Sequence, residues 1–516
     1  MSIPALDVAF WRDVSLGLSL EHVYTPVNDA TIAAAEVDFA PCFAAMDRLE
    51  AGDIANPDEQ RRVGHYWLRA PDRAPDGLGP LIRDTVDRCR SLAMEIHRER
   101  QLRTVLVLGI GGSALGPQFV SDALGEPQDA MRVCFIDNTD PDGMARILGP
   151  LDLEETLTLC ISKSGGTAET RNALIETEAA YARAGVSFAE RAIAITGEGS
   201  VLWHHATAWR ARLPMWDWVG GRTSVTSAVG LLPMFLQGID ADALLDGAAA
   251  MDEVTRQPSV HANPAARLAL LWHHLAPAAG HPTPHVRRAM VMLPYRDRLV
   301  LLSRYLQQLV MESIGKERDL AGAIVHQGLT VYGNKGSTDQ HAYVQQLRDG
   351  PDDHFVTFVA VEDDGDHEAV EVDPGVDSGD YLQGFRLGTR KALAERGHPS
   401  FTLGLARLDA FHIGALIALY ERAVGLYAAR IGVNAYHQPG VEAGKKAAGE
   451  VIAAKGALLG VLDTAGATAS ELATRAGLAD MDTAWSLLTR LAANRRGVQV
   501  EPGATPGLDR FSRMGE

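Results

Sequence analysis

RTVLVLGIGGSALGPQFVSDAL (103–124) is the stretch on which the fold turns. It opens with a β-favouring apolar run, breaks at three glycines, and resumes with apolar residues at helical spacing. The same grammar recurs. RVCFIDN (132–138), LTLCIS (157–162) and RAIAIT (191–196) are short apolar runs, and LTLCIS leads through a Ser/Gly/Thr loop into the helical AETRNALIETEAAYARAG. Strand, loop and helix in alternation predict βαβ units and a parallel sheet. A second round follows with RRAMVMLPY (287–295), the long amphipathic DRLVLLSRYLQQLVMESIGKE (297–317) and HFVTFVAVE (354–362). The expectation is an α/β chain with two mainly parallel sheets flanked by helices. Residues 1–95 are expected to be a helical segment, 96–240 the first α/β domain and 241–284 a helical connection. Residues 285–455 are expected to be the second α/β domain, and 456–516 a helical appendage.

Composition narrows the function. The 516 residues carry 48 Lys and Arg against 66 Asp and Glu, a net charge of −18, which argues against binding nucleic acid or an anionic membrane. A small anionic substrate stays compatible with one local cationic cleft. The four cysteines, at 42, 89, 134 and 160, contain no C-x-x-C pair and are too few for a disulfide scaffold. The N-terminal MSIPALDVAFWRD lacks the pattern of a signal peptide. The apolar stretch from Ile413 to Val433 carries Glu421, Arg422 and Arg430 and reads as a buried helix, not a membrane span. Cytoplasm is the expected location. Only seven of the 48 basic residues are lysines, so each lysine invites the question whether its site needs a compact ammonium.

Two loops could hold a phosphate. Gly109-Ile110-Gly111-Gly112-Ser113-Ala114 fits a dinucleotide fingerprint, with Asp137 ending the next strand where a ribose-binding acid would stand. A nicotinamide cofactor is therefore one reading, although glycines opening a helix suit any phosphate. The second loop, ISKSGGTAET (161–170), places Ser162, Lys163, Ser164 and Thr167 between a strand and a helix. Hydroxyls, backbone amides and the helix dipole can together surround phosphoryl oxygens there. The plainer alternative makes Thr167 an ordinary N-cap with Glu169 in the first turn.

Further on, Gln308 and Glu312 stand four apart and share a helix face, beside apolar Leu302, Leu306 and Leu309. A partly buried carboxylate there is placed to act as a general base, unless it is simply a solvated glutamate paired with Lys316. Ser337-Thr338-Asp339-Gln340 has the form of a capping box. That would put His341 in the first helical turn, where the positive helix end favours neutral imidazole. Gln438-Pro439-Gly440 marks a turn and helix entry before the candidate cation Lys445. Arg222 follows Gly220 and Gly221 and offers a fixed charge.

Taken together, LGIGGSALGP, ISKSGGTAET, VGGRTSVTS, QQLVMESIGKE, GNKGSTDQHAYVQQLRDG and QPGVEAGKKAA closely resemble the phosphoglucose isomerase family, in its order and over about 105–455. The resemblance implies two sugar-isomerase-type (SIS) domains, interconversion of glucose 6-phosphate and fructose 6-phosphate in glycolysis and gluconeogenesis, and no metal or cofactor. It implies that Glu312 moves a proton between C1 and C2, that His341 helps open the sugar ring with Lys445 nearby, and that Arg222 stabilises the enediolate. It assigns the phosphate to Ser162, Lys163, Ser164 and Thr167 with Ser113 at the edge, the sugar to Gln308 and Gln438, and places Gly221 in the site. It also implies a homodimer whose histidine crosses to the neighbouring subunit. Two departures stand beside these positions: Gly165-Gly166 where many members have a larger residue, and Pro439 where many have an aromatic.

The tail lies outside the traced resemblance. ELATRAGLADMDTAWSLLTRLAANRRG with VQVEP looks like a helix–turn–helix and wing strand, but its sparse basic residues oppose DNA binding, leaving a helical appendage. The rival readings of the whole chain are a non-catalytic sugar-phosphate sensor, which has no need of Glu312, His341 and Lys445, and a nicotinamide dehydrogenase, which leaves the SKSGGT loop unexplained.

Overall fold

Five parallel strands make the first sheet, in the order Arg132–Ile136, Thr104–Leu108, Thr156–Ser162, Ala192–Thr196, Ala211–Pro214. In this computed structural model residues 9–277, 288–366 and 368–515 are described, with the side chains of 441–443, 445 and 446 outside that description. Val105 and Val107 face a core with Ile96 and Leu232. Leu106 and Leu108 face another with Met144 and Leu174. Apolar residues on both faces explain why these strands read as unbroken hydrophobic runs.

The second sheet has six strands, in the order Phe10–Asp13, Leu18–Tyr24, Ser400–Leu405, His354–Val361, Ala289–Pro294, Val331–Tyr332. The last four run parallel to one another. The first two form a hairpin that pairs antiparallel with Ser400–Leu405. This corrects the expectation of a helical 1–95: helices occupy Asp29–Glu50 and Leu78–Glu99, but Phe10–Asp13 and Leu18–Tyr24 are strands. In Leu18–Tyr24, Leu18, Leu20 and His22 point inward at period two, and the strand completes its ladder on a partner some 380 residues later in the chain. Residue 287, the expected first residue of the 287–295 strand, lies outside the described residues.

Between the sheets in sequence run the helices Ala228–Gln237, Ala241–Thr255 and Pro264–Leu275. The Ala410–Ile431 helix is buried along most of its length. Among the described residues no helix is long and apolar enough to cross a membrane. Glu421 and Arg422 of the Ala410–Ile431 helix are paired in the interior. Arg69 holds Asp252 at 2.7 Å and also Glu421, while Arg422 holds Asp252 at 3.0 Å and also Glu50. The Arg422 guanidinium lies 3.9 Å over the Tyr66 ring.

The chain divides into two compact units, one ending at His437 and the other starting at Gln438. The second begins with the Pro439–Val461 helix, which runs through the expected boundary at 455/456. Ala467–Thr468, Arg510–Arg513 and Val498–Glu501 then form a three-stranded antiparallel sheet in that order, with helices Ala469–Arg475 and Met481–Ala493 between the first and second strands in sequence. Thr468 and Glu471 make a capping box at the start of the first of these helices. The tail is therefore a small α/β module in place of a helical one. Its last strand, Arg510–Arg513, joins through the buried Phe511, which packs with Leu458, Leu472 and Leu488.

Candidate active site

The long helix expected over 297–317 is broken into pieces that serve a site. A short helix, Leu302–Leu306, passes into one π-helical turn over Gln307–Glu312. Such turns are rare, and many lie at functional sites. Leu306, Leu309 and Val310 anchor the turn in the core, while Glu312 stays partly exposed at its end. Glu312 Oε2 is 3.1 Å from Arg222 Nη1. Arg222 is itself buried. Its Nε donates to Ser313 Oγ at 2.8 Å, and its Nη2 donates to the carbonyls of Ala435 and His437, both at 3.0 Å. Burial pulls the guanidinium below its usual range, opposed by the Glu312 charge. The carboxylate thus faces a cation that Ser313 Oγ and the two carbonyls help to hold in place.

The alternative pairing of Glu312 with Lys316 does not form at the carboxylate. Lys316 is buried and its Nζ donates to the backbone carbonyl of Glu312 at 2.6 Å. Burial, then the nearby Arg222, pushes this ammonium down to about 8.

The glycine loop is drawn into the same place by close packing. Gly111 has φ +58°, and a Cβ there would stand 3.0 Å from Gln308 Nε2. A Cβ on Gly112 would meet the Gly221 carbonyl oxygen at 1.9 Å. Ser224 Oγ ties the two turns together, donating within reach of Gly221 O (2.7 Å) and Gly112 O (3.3 Å). These glycines have a reason independent of a dinucleotide, since Gly112 lies on the Gly221 backbone and Gly111 has a positive φ beside the Gln308 side chain. Asp137, the candidate ribose acid, accepts from Gln118 at 2.9 Å and faces Arg304 at 3.4 Å. Ser113 is buried at the end of the glycine loop.

The 162–167 loop takes the shape of a cradle. Ser162 Oγ accepts from Gly165 N and Ser164 Oγ from Gly166 N, both at 3.1 Å. Gly165 has φ +69°, and a Cβ there would lie 2.4 Å from Leu202 N. Thr167 occupies the N-cap position of the Ala168–Ala184 helix, yet its side chain makes no cap hydrogen bond. The plain N-cap reading therefore fails at the hydroxyl. Lys163 turns aside from the loop, with Nζ donating to the carbonyls of Asp217 (2.7 Å) and Val219 (3.0 Å).

His341 requires a correction. Thr338–His341 is a single 3-10 turn, and Ser337 makes no cap hydrogen bond. His341 ends that turn instead of lying in the first turn of an α-helix, so the helix-dipole argument does not apply to it. Asp339 organises the loop instead. Its carboxylate accepts from Asn334 N (2.9 Å), Lys335 N (3.0 Å) and Tyr343 OH (2.5 Å). Gln340, the other half of the expected box, bonds Thr389 and the Phe385 carbonyl. His341 is exposed in the single chain. Gln438 is the residue before the Pro439–Val461 helix, and the Lys445 side chain falls outside the described residues.

Sequence reasoning missed Ser313, the Ala435 and His437 carbonyls, and Asp339. The scarcity of lysine was a usable signal, because Lys163 and Lys316 are two of the seven and both are pushed down to about 8.

A family profile described as phosphoglucose isomerase matches residues 29–372 and 387–470. The chain belongs to the phosphoglucose isomerase family. It is 54% identical over 517 aligned positions to a glucose-6-phosphate isomerase of Geobacter sulfurreducens, covering 97% of each chain. It is 50% identical to one of Synechococcus elongatus, covering 95% of this chain and 94% of that one. Among solved structures, a glucose-6-phosphate isomerase from Chlamydia trachomatis superposes with a TM-score of 0.78 at 27% identity, over 85% of this chain and 89% of that one. The Arg222–Glu312 pair, the SKSGGT loop and the glycine loop all fall within the part of the chain that the phosphoglucose isomerase profile matches.

Proposed function

We propose that the chain interconverts glucose 6-phosphate and fructose 6-phosphate, as an aldose–ketose isomerase of glycolysis and gluconeogenesis. The observation that carries the reading is the Glu312 carboxylate held 3.1 Å from buried Arg222, on a π turn abutting the glycine loop. A hydrogen α to a carbonyl is weakly acidic, and its removal needs a base plus a positive field where oxygen charge develops. Glu312 takes the proton from C2 of the open-chain aldose, giving a cis-enediolate; the hydroxyl proton passes from O2 to O1 through the cis-enediol, and Glu312 returns its proton to C1, leaving the carbonyl at C2. Arg222 stabilises the developing enediolate. The phosphate sits in the Ser162–Thr167 loop at the helix N-terminus with Ser113 at its edge, and this remote grip orients the reacting carbons. Gln308 hydrogen-bonds the sugar.

His341, exposed in one chain, opens the ring in a neighbouring subunit of a homodimer, with Gln438 and Lys445 on the sugar as the family resemblance assigns them. A cytoplasmic location belongs to the same reading.

The test is a coupled assay of fructose 6-phosphate conversion on the wild type and Glu312→Gln. The variant is expected to lose about 10²- to 10⁴-fold in kcat, the usual range for a general base, with inhibition by inorganic phosphate retained. Wild-type protein without this conversion would refute the function, and unaltered turnover in the variant would refute the base.

A further inference from the structure

Lys163 is placed by its motif among the phosphate ligands, but its side chain is committed elsewhere. An ammonium has three protons and no acceptor. Lys163 Nζ lies 2.7 Å from Asp217 O, 3.0 Å from Val219 O and 3.4 Å from Asp217 Oδ1, which gives a partner for each proton. Its backbone is fixed separately, with its carbonyl accepting from Gly197 N at 3.0 Å.

The segment it grips leads to the reaction centre. Three consecutive carbonyls are taken by donors from outside the turn. Arg61 Nη1 joins Lys163 on Asp217 O at 2.9 Å, Gly64 N donates to Trp218 O at 2.9 Å, and Lys163 Nζ donates to Val219 O at 3.0 Å. Trp216 and Trp218 stack at 4.9 Å within the same turn. After Val219 come Gly220, Gly221 and Arg222. The two glycines give the turn little stiffness of its own, so the backbone from which Arg222 reaches its own partners depends also on what holds the residues before it.

We propose that Lys163 is a positioning residue: its side chain braces the 217–219 turn so that Arg222 meets Glu312, and so ties the phosphate loop to the reaction centre. The inference rests on the isomerase reading above and deepens it. The phosphate is then gripped by the hydroxyls and backbone amides of the loop, not by this ammonium. An anion ordering the backbone at residue 163 also orders the stem that holds the turn. In this way binding energy at the phosphate is used to align a charge that acts at C1 and C2.

Lys163→Met keeps most of the apolar stem and removes all three donors. A displacement of about 1 Å at a catalytic group costs on the order of 10²-fold, so kcat for fructose 6-phosphate is expected to fall about 10- to 100-fold. KM and the inhibition constant of inorganic phosphate are expected to stay within about threefold, because no phosphate contact is lost. The dichroism of the stacked Trp216–Trp218 pair, which reads the turn whether or not the protein turns over, is expected to weaken. Phosphate inhibition weakened about tenfold or more would overturn the proposal, since it would make the ammonium a ligand. Unchanged kcat or unchanged dichroism would overturn it as well. If Lys163→Met lacks a cooperative thermal transition, Lys163→Gln, whose amide can still donate to one carbonyl, is judged by the same criteria. An inactive wild type would refute the isomerase reading alone, and the dichroism would still decide the brace.

Discussion

Replacing Gly112 by Ala tests the packing of the two turns, because the added atom has a calculable destination. The new Cβ would stand 1.9 Å from Gly221 O and 2.1 Å from Gly221 C. An ordinary C···O contact is about 3.3 Å, so one turn must retreat by about 1.4 Å. Neither neighbour is a flexible side-chain end; both atoms are backbone. Gly221 is bonded to Arg222, so the retreat is delivered to the guanidinium that holds Glu312 at 3.1 Å. Overpacking of this kind costs about 1–3 kcal/mol of stability. A misplacement near 1 Å at a reacting group costs on the order of 10²-fold in rate. The expected outcome is kcat lowered about 10²-fold, with a cooperative urea transition shifted by that 1–3 kcal/mol. The substitution leaves the 162–167 loop untouched, so inorganic phosphate should inhibit the variant as it does the wild type. A Gly112→Ala enzyme with kcat within threefold of wild type would refute the reasoning, since the two turns would then not be rigidly coupled.

Three further outcomes follow from other parts of the chain. Arg422→Met removes one of the two guanidiniums that hold the Asp252 carboxylate below the usual range, leaving Arg69, and one of the two on Glu50, leaving Arg256; about 1–3 kcal/mol of stability should be lost in urea unfolding, and a loss below about 0.5 kcal/mol would mean that the remaining cations compensate fully. Lys316 titrates at about 8 in the fold against 10.5 when unfolded, so between those values the unfolded chain binds more protons and stability rises with pH. The stability difference between wild type and Lys316→Met should therefore move in favour of the wild type from pH 7.5 to 9.5, by up to about 1.4 kcal/mol per pH unit; a flat or falling difference contradicts the burial of that ammonium. Asp339→Ala removes the acceptor of the Asn334 and Lys335 amides and of Tyr343, and should lower kcat about tenfold or more by releasing the His341 loop; turnover within twofold of wild type would show that the loop is held by other means.

The sheets were legible wherever strands are buried on both faces, because residues such as those of Thr156–Ser162 have no polar alternation to obscure them. The N-terminal hairpin was not legible. Leu18–Tyr24 has too short an alternating pattern to be read alone, and the strand beside it is Ser400–Leu405. The chemistry of the motifs was legible as residue type and spacing, but their local geometry was not. Ser337 and Gln340 match a helix-cap pattern, yet the residue between them, buried Asp339, offers a carboxylate to two successive amides and wins the turn. Nothing in QQLVME distinguishes a π turn from an α turn, since the apolar spacing suits both. Lys163 shows the limit most clearly. A motif fixes where a residue stands in the chain, whereas the acceptors that capture its side chain come from a turn more than fifty residues on.

Gly165 sets a boundary on redesign. With its left-handed backbone and Leu202 N only 2.4 Å from where a side chain would begin, it has no room for a larger residue. A larger side chain introduced at this single position would distort the cradle. The bulkier version becomes attainable only if the neighbouring Val201–His205 helix is exchanged along with it.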